Sequence, residues 1–224
     1  MQTGHRSRPR CDARFERALA RRGYALIAGL DEAGRGSLFG PVFAAAVVLP
    51  LDIHLPGVRD SKELSPRVRE ELAAQITSAA TAWSVAQVEA ADIDRINIYQ
   101  ASRLAMKQAV LRLKISPDFL LVDAMSVDLP LPQRALIRGD ARSRSIAAAS
   151  ILAKVYRDRL MREWDQVYPQ YGLSRSKGYG TGEHLAALDR LGPTAQHRFS
   201  FDPVRGTMGR GQMTLALEAA AGAN

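Results

Sequence analysis

The stretch ALIAGLDEAGRGSLFGPVFAAAVVLP, residues 25–50, carries the clearest structural signal in the chain. It contains two apolar runs that each have the length of a buried β-strand, separated by a glycine-rich turn. Pro41 and Pro50 mark the edges of the second run, because proline lacks the N–H that a strand interior needs. We therefore predict two neighbouring strands joined by a tight turn, which would begin a sheet.

Helical and strand patterns alternate after this stretch. Residues 65–80 predict a helix with Ser65 as its N-cap and Pro66 at its first position. Further helices are predicted over residues 94–113 and 145–165 and after Thr181, and further strands over residues 83–90, 118–124 and 134–141. This order favours an α/β fold.

The composition limits the architecture and the class of partner. The chain has 224 residues, of which 46% are hydrophobic, enough to bury a sizeable core. We expect a loosely attached lead-in over residues 1–22 with one short helical possibility, a single domain over 23–205, and a disordered tail over 206–224. Lysine and arginine outnumber aspartate and glutamate by 31 to 23, which favours a polyanionic partner.

The single cysteine and the apolar runs bear on the cellular compartment. Cys11 has no second cysteine to pair with, so neither an internal disulfide nor a cysteine-rich zinc site is expected. No run reaches the ~20 apolar residues of a membrane span, and no signal-peptide core follows the charged start. We expect a cytoplasmic, monomeric protein.

Acidic residues follow three of the predicted strands. Asp31 and Glu32 end the first apolar run, Asp123 ends FLLVD, and Asp140 follows ALIRG. Carboxylates at strand ends can converge on one edge of a sheet, where repulsion disfavours them unless cations neutralise them. Hard oxygen ligands select Mg²⁺ or Mn²⁺, and two such ions ~4 Å apart suit phosphodiester hydrolysis. Taken singly, each acid could equally be a cap, a turn residue or half of a surface ion pair.

The turn DEAGRGSLFG also invites comparison with a dinucleotide-binding loop. Its spacing, G-x-G-x-x-x-G, differs from that motif, and a strand follows where the motif requires a helix. We therefore set this interpretation aside.

Six segments, in order, resemble ribonuclease HII, the type 2 ribonuclease H family. The likeness covers residues 25–204, and its six segments are AGLDEAGRGSLFGPVFAAAVVLP, DSKELSP, INIYQASRLAMKQAV, LVDA, GDARSRSIAAASILAKVYRDRLM and KGYGTGEHLAAL. The resemblance implies a ribonuclease H-like mixed sheet flanked by helices, with a small helical C-terminal part. It also implies that Asp31, Glu32, Asp123 and Asp140 are the catalytic metal ligands, the same residues that the strand ends select.

The resemblance also assigns substrate contacts. It implies that Gly34, Arg35 and Gly36 recognise the ribonucleotide 2′-hydroxyl and that Tyr179 packs on the sugar of the following deoxynucleotide. A glycine backbone can approach a ribose closely, and the 2′-hydroxyl is what distinguishes RNA. Candidate phosphate contacts are basic residues near the motifs, namely Lys62, Arg142, Arg144, Lys154 and Lys177.

Several residues depart from the family pattern or lack a metal motif. Ser37 and Phe39 stand where proline and alanine are expected, and Ala124 follows Asp123 where glycine is common; these changes concern loop shape and affinity. His184 and His197 have no accompanying ligand pattern, so surface or packing roles are expected. Only about two dozen residues precede the first strand, which favours ribonuclease HII over ribonuclease HIII with its extra N-terminal domain.

The expected activity is metal-dependent hydrolysis, with Mn²⁺ or Mg²⁺, of the RNA strand of RNA/DNA hybrids. The resemblance further implies cutting 5′ of single ribonucleotides in duplex DNA, leaving 3′-hydroxyl and 5′-phosphate ends. A non-catalytic nucleic-acid-binding module and a DNA-directed nuclease on the same core are the alternatives. In the tail, QMTLAL, residues 212–217, faintly resembles peptides that bind a sliding clamp, although a tail without function is the simpler expectation.

Overall fold

The computed structural model describes residues 11–58 and 61–207. Its strands form one mixed sheet in the order β3-β2-β1-β4-β5. Their bounds are β1 Ile27–Ala33, β2 Val42–Val48, β3 Ala82–Val88, β4 Phe119–Asp123 and β5 Gln133–Leu136. Strands β1, β4 and β5 are parallel neighbours. The α/β fold with a mixed sheet flanked by helices is confirmed.

The helices of the described residues include a helical C-terminal part. They are α1 Arg14–Ala20, α2 Pro66–Ala79, α3 Ala90–Ile96, α4 Ile98–Leu111, α5 Arg144–Val167, α6 Leu173–Ser176, α7 Gly182–Leu191 and α8 Asp202–Arg205. Short 3₁₀ turns occupy Ser61–Glu63, Gly139–Ala141 and Pro169–Tyr171. Ser65 caps α2 by accepting a bond from Val68 N, as predicted.

One predicted helix is two helices in the structure. The prediction ran one helix over residues 94–113, whereas α3 ends at Ile96 and α4 begins at Ile98. Asn97 between them has φ 66°, which is incompatible with a continuous right-handed helix. The apolar spacing continues on both sides of this residue, so periodicity alone missed the break.

The chain divides into two compact units. The first contains residues 44–86 and 103–155 together with the chain up to Ala33, and the second contains residues 34–43, 87–102 and the chain from Tyr156. The single domain predicted over residues 23–205 stays a prediction.

The core of the first unit depends on small residues in α5. Ala147, Ala148 and Ala149 are fully buried and pack with apolar residues of β2 and α2. Strand β1 approaches the start of α5 even more closely, since a Cβ built at Gly29 would lie 2.1 Å from the Ser145 carbonyl carbon. Only glycine fits there, because the obstacle is backbone rather than a flexible side chain.

Helix α1 is fastened to the start of α5 by a buried carboxylate. Glu16 accepts hydrogen bonds from Ser143 Oγ at 2.6 Å, Ser145 Oγ at 2.7 Å and Ser145 N at 3.0 Å. A carboxylate at a helix N-terminus satisfies unpaired N–H groups and interacts favourably with the helix dipole. The short helix expected in the lead-in is present as α1, in which Glu16 and Leu19 are buried. The loosely attached lead-in over residues 1–22 stays a prediction. Residues 1–10 and the predicted tail from residue 208 lie outside the described residues.

Replacing Glu16 tests this attachment. We expect Glu16→Ala to lower the free energy of unfolding by about 2 kcal/mol, because buried hydroxyls and an amide lose a charged acceptor. Urea denaturation would measure the change. The matched control Glu71→Ala removes an exposed carboxylate paired with Arg67 at 2.9 Å and should cost at most about 0.5 kcal/mol. Equal losses in the two variants would contradict a structural role for Glu16.

Candidate active site

The four predicted acids lie at the carboxyl ends of neighbouring parallel strands. Asp31 and Glu32 belong to β1, and Asp123 is the last residue of β4. The register pairs Leu30 with Val122, so Asp31 and Asp123 each follow one residue beyond a matched pair. Asp140 differs slightly from the prediction: it lies on the 3₁₀ turn Gly139–Ala141, after β5 has ended at Leu136.

Asp31 is the electrostatic centre of this group, which we call the acid cluster. Only 5% of Asp31 is exposed. Its pKa is raised well above the ordinary value, first by burial and then by the negative charges of Glu32, Asp123 and Asp140, although a hydrogen bond from Ser150 lowers it. Glu32, Asp123 and Asp140 therefore lie close enough to Asp31 to raise its pKa.

Backbone amides orient the carboxylates of the acid cluster. Asp31 Oδ1 accepts from Glu32 N at 2.7 Å, Asp123 Oδ1 from Gly139 N at 2.6 Å, and Asp140 Oδ1 from Ala141 N at 2.9 Å. Lys62 Nζ lies 3.7 Å from Asp140 Oδ2 while its side chain remains largely exposed. The cluster thus combines acids that accept from backbone amides with one largely exposed ammonium group beside Asp140.

A pair of buried serines supports Asp31, and sequence reasoning missed both as site residues. Ser150 of α5 bonds to Asp31, and its Oγ lies 2.9 Å from Ser61 Oγ. Ser61 belongs to a 3₁₀ turn whose carbonyls Arg69 binds, with Nη1 donating to Ser61 O at 2.9 Å and Leu64 O at 2.6 Å. Arg69 therefore holds the turn that carries Ser61 and Lys62 toward the acids.

The chemistry of the acid cluster fits divalent metal ions. Carboxylates supply hard oxygen ligands, and a cation would offset the repulsion that raises the pKa of Asp31. As the side chains stand, no three His, Cys, Asp or Glu residues within 11–58 and 61–207 have metal-ligating geometry. Asp123 and Asp140 each direct one carboxylate oxygen at a backbone amide.

The second unit contains the predicted sugar-contacting loop, residues 34–40. Gly34 has φ 95°, and a Cβ there would lie 2.1 Å from Arg157 Nε, so both conformation and space demand glycine. Arg157 is fully buried beneath the loop. Its Nη2 donates to Ser37 Oγ at 2.6 Å and Phe39 O at 3.2 Å, and its Nη1 donates to Lys177 O at 2.8 Å.

A second buried arginine binds the same loop. Arg198 Nε donates to Gly40 O at 2.9 Å, and Nη1 donates to Arg35 O at 2.9 Å. Its pKa is lowered to about 9, first by burial and then by the charge of Arg157. Sequence reasoning missed both arginines, because no sequence pattern distinguishes a buried arginine from the many exposed ones in a basic chain.

Tyr179 lies beside this loop. Its ring is 37% exposed, and Arg157 Cζ lies 5.5 Å from the ring centroid. A Cβ at Gly36 would be 3.9 Å from Tyr179 Cε1. The structure therefore brings Gly34, Gly36 and Tyr179 together in the second unit, with the Arg35 side chain exposed.

Residues 28–204 match the family model for ribonuclease HII. The chain belongs to this family. It is 58% identical over 196 residues to the ribonuclease HII of Solibacter usitatus (strain Ellin6076), a match that covers 88% of this chain and 86% of that protein.

Two solved structures share the fold. The ribonuclease H2 of Pyrococcus horikoshii OT3 matches with a TM-score of 0.72 and 25% identity, over 84% of this chain and 99% of that one. A ribonuclease HII of Archaeoglobus fulgidus, solved in complex with PCNA, matches with a TM-score of 0.69 and 26% identity, over 81% and 96% of the two chains.

Membership establishes the general activity. The chain is a ribonuclease H that acts on RNA/DNA substrates, and ribonucleases H depend on divalent metal ions. In the part of the chain that the structure describes, no helix has both the length and the apolar character needed to cross a membrane.

The departures from the family pattern have local explanations. Ser37 Oγ accepts from Arg157 Nη2 and lies 2.9 Å from Phe39 O and 2.8 Å from Gly178 O, two carbonyl oxygens that compete for its one proton. Ala124 has φ 52°, a conformation that favours glycine. Ser37 therefore adds a polar link between the loops at residues 34–40 and 177–181, whereas Ala124 adopts a backbone conformation that is strained for alanine.

The predicted phosphate-binding residues have different surroundings. Arg142 lies 5.2 Å from the Phe15 ring centroid, and Arg14 and Arg134 lie 5.0 and 5.5 Å from the same ring, a cluster that sequence reasoning missed. Arg144 Nη1 donates to Ile53 O at 2.6 Å. Lys154 is half-buried on α5, and Lys177 Nζ bonds to the Ser174 carbonyl.

The two histidines pack in the interior of the second unit. His184 and His197 are fully buried, and their Nε2 atoms lie 3.2 Å apart. Burial lowers the pKa of both, and the pKa of His197, lowered further by His184, falls to about 4. The expected packing role is observed, with a direct hydrogen bond that the sequence did not reveal.

Replacing Asp31 should stabilise the protein in the absence of metal. A carboxylate whose folded-state pKa is raised binds more protons when folded, so its ionisation destabilises the fold as pH rises. We expect Asp31→Asn, denatured in chelator at about pH 7.5, to have a higher free energy of unfolding than the wild type. Asp128→Asn is the control, because Lys107 lowers the pKa of that exposed carboxyl and no gain should follow. A lower free energy of unfolding in Asp31→Asn would contradict the inference that the charge of Asp31 destabilises the folded protein.

Acid should destabilise the histidine pair. The pKa of His197 is lowered from 6.5 to about 4, so between these pH values the unfolded state binds more protons than the folded state. The free energy of unfolding therefore decreases as the pH is lowered through this range. The contribution is about 1.4 kcal/mol per pH unit. Denaturation at several pH values should show a shallower slope for His197→Gln than for wild type. Tyr171→Phe, in the same ring cluster, should retain the wild-type slope.

Proposed function

We propose that the protein is an endoribonuclease that cleaves the RNA strand of hybrids and cuts 5′ of single ribonucleotides in duplex DNA. The products would carry 3′-hydroxyl and 5′-phosphate ends. The observation that carries this proposal is the buried Asp31 carboxylate, whose pKa is raised by three further acids at the ends of parallel strands. Such repulsion is tolerated where the function requires bound cations.

In this mechanism Asp31, Glu32, Asp123 and Asp140 would hold two divalent ions, Mn²⁺ or Mg²⁺. When bound, the ions would supply activation of water and stabilisation of the departing 3′ oxygen. Burial and the Ser150 hydroxyl fix Asp31, and the Gly139 amide fixes Asp123. Lys62, whose Nζ is exposed 3.7 Å from Asp140, can move to a substrate phosphate.

The loop at residues 34–36 and Tyr179 would select the cleavage position. Gly36 is exposed, which leaves its backbone accessible to a ribose, and the 2′-hydroxyl would bond to peptide groups of residues 34–36. The partly exposed Tyr179 ring would pack on the deoxyribose that follows. Five basic residues would bind phosphates without reading sequence, namely Lys62, Arg142, Arg144, Lys154 and Lys177.

Further partners belong to this proposal as well. The PCNA complex of the Archaeoglobus fulgidus relative supports a sliding-clamp contact through residues 212–217, which lie outside the described residues. A monomer acting in the cytoplasm remains our expectation.

Cleavage of an end-labelled DNA duplex containing one ribonucleotide tests the proposal. With Mg²⁺ or Mn²⁺ we expect a single cut 5′ of the ribonucleotide, and none in chelator. Asp123→Asn should reduce the rate at least about 100-fold, because it removes a metal ligand. Asp128→Asn, an equal change at an exposed carboxylate, should retain the wild-type rate.

Two controls separate the alternatives. An all-DNA duplex should remain intact, and cutting of it would indicate a DNA-directed nuclease instead. Binding of the labelled duplex by folded protein without cutting under either metal would favour a non-catalytic nucleic-acid-binding module.

A further inference from the structure

The paired histidines form one directional chain of hydrogen bonds inside the second unit. At one end, Thr194 N donates to His197 Nδ1 at 2.9 Å. In the middle the two Nε2 atoms are 3.2 Å apart, and at the other end His184 Nδ1 lies 3.0 Å from Tyr179 O. The two end steps each join a fully buried imidazole to a main-chain group, and the middle step joins the two imidazoles to each other.

The backbone groups at the two ends determine the position of each proton. The Thr194 amide can only donate, so His197 Nδ1 is the acceptor and its proton lies on Nε2. His197 Nε2–H then donates to His184 Nε2, which leaves the His184 proton on Nδ1. That proton is donated to the Tyr179 carbonyl, which can only accept. Two neutral histidines of opposite tautomer are the arrangement that satisfies all three bonds.

Both loops of the proposed sugar site are attached to this pair. The Tyr179 carbonyl also accepts from Thr181 N at 2.8 Å, so two donors fix the peptide group that follows the Tyr179 ring. His197 forms a backbone bridge with Phe39, and their rings meet edge to face at 4.9 Å. Phe39 lies three residues after Gly36. The histidines therefore connect the loop at residues 34–40 to the loop that carries Tyr179.

Packing alone does not require this chemistry. Two apolar rings would fill the same volume without the desolvation that lowers both histidine pKa values. The imidazoles add a directional hydrogen bond, from His184 Nδ1 to the Tyr179 carbonyl. The two residues before Tyr179, Lys177 and Gly178, have positive φ values of 51° and 74°. A loop with such conformations needs outside contacts to hold one geometry.

We propose that His184 and His197 are positioning residues that set the place of Tyr179 relative to the loop at residues 34–40, and thereby the preference for RNA–DNA junctions. They touch no reacting atom. This inference rests on the proposed function, because it assumes that Tyr179 packs on the deoxyribose. Their loss should weaken recognition of the junction more than cleavage within a continuous hybrid.

Substitutions at His184 test the inference. His184→Leu removes the donor to Tyr179, whereas His184→Asn keeps an N–H near the position of Nδ1. We expect His184→Leu to lower kcat/KM on a single-ribonucleotide duplex about tenfold, mainly through KM, with a much smaller loss on a continuous hybrid. His184→Asn should restore most of this loss.

Tyr171→Phe is the matched control, since it removes one buried hydrogen bond, from Tyr171 Oη to Gly192 O at 2.6 Å, in the same ring cluster. It should affect both substrates equally. His184→Leu combined with Tyr179→Ala should be no worse on the junction than Tyr179→Ala alone. Additive losses, or equal losses on both substrates, would overturn the positioning role.

Nitrogen-15 NMR of labelled histidine gives a readout that is independent of cleavage. We expect a proton on Nδ1 of His184 and on Nε2 of His197, and a shift of the Tyr179 signals in His184→Leu but not in Tyr171→Phe. The reverse tautomers, or unmoved Tyr179 signals, would refute the inference even if cleavage follows the proposal. Correct tautomers and moved signals in a protein that cuts neither substrate would leave the link to Tyr179 standing and refute the proposed function.

Discussion

Strand β1 runs so close to the start of helix α5 that a Cβ at Gly29 would lie 2.1 Å from the Ser145 carbonyl carbon. This contact between backbones determines where α5 begins, and α5 carries the hydroxyl of Ser150 that bonds to Asp31. The carboxylate of Glu16 caps the same helix start through Ser143 and Ser145. A side chain at residue 29 would therefore displace the support of Asp31 and the attachment of α1 together.

The two units handle unfavourable charge in different ways. In the first unit, four carboxylates lie at or just beyond the carboxyl ends of the parallel strands, and the pKa of Asp31 is raised by burial and by the other three charges. A divalent cation would offset this repulsion. In the second, Arg157 and Arg198 are buried and bond to carbonyl and hydroxyl oxygens of the loop above them. The acids keep a repulsion that a cation would offset, whereas Arg157 and Arg198 each donate through two of their nitrogens to oxygens of the protein.

The sequence predicts those features that depend on neighbours along the chain. The pattern of acids at strand ends correctly predicted that Asp31, Glu32 and Asp123 lie close together. Asp140 differs only in that it lies on a 3₁₀ turn. The helix break at Asn97 was missed, because one positive φ leaves the apolar spacing intact. Glu16, Ser150, Arg157, Arg198 and the histidine bond depend on partners 13 to 163 residues away, which no local pattern specifies.

The main-chain contacts of Arg157 and Arg198 have a consequence for how this site can change. In the proposed function the loop would meet a sugar through peptide groups, and Arg157 and Arg198 bind its carbonyls from the protein side. Few side chains of such a loop could be replaced to alter what it selects. Substitutions at the exposed Arg35 would leave the loop's shape intact, whereas a change at a buried arginine far along the chain would remodel it. Variation in substrate choice would therefore arise from buried residues such as Arg157 and Arg198, which do not contact the nucleic acid. A survey limited to surface positions would overlook these residues.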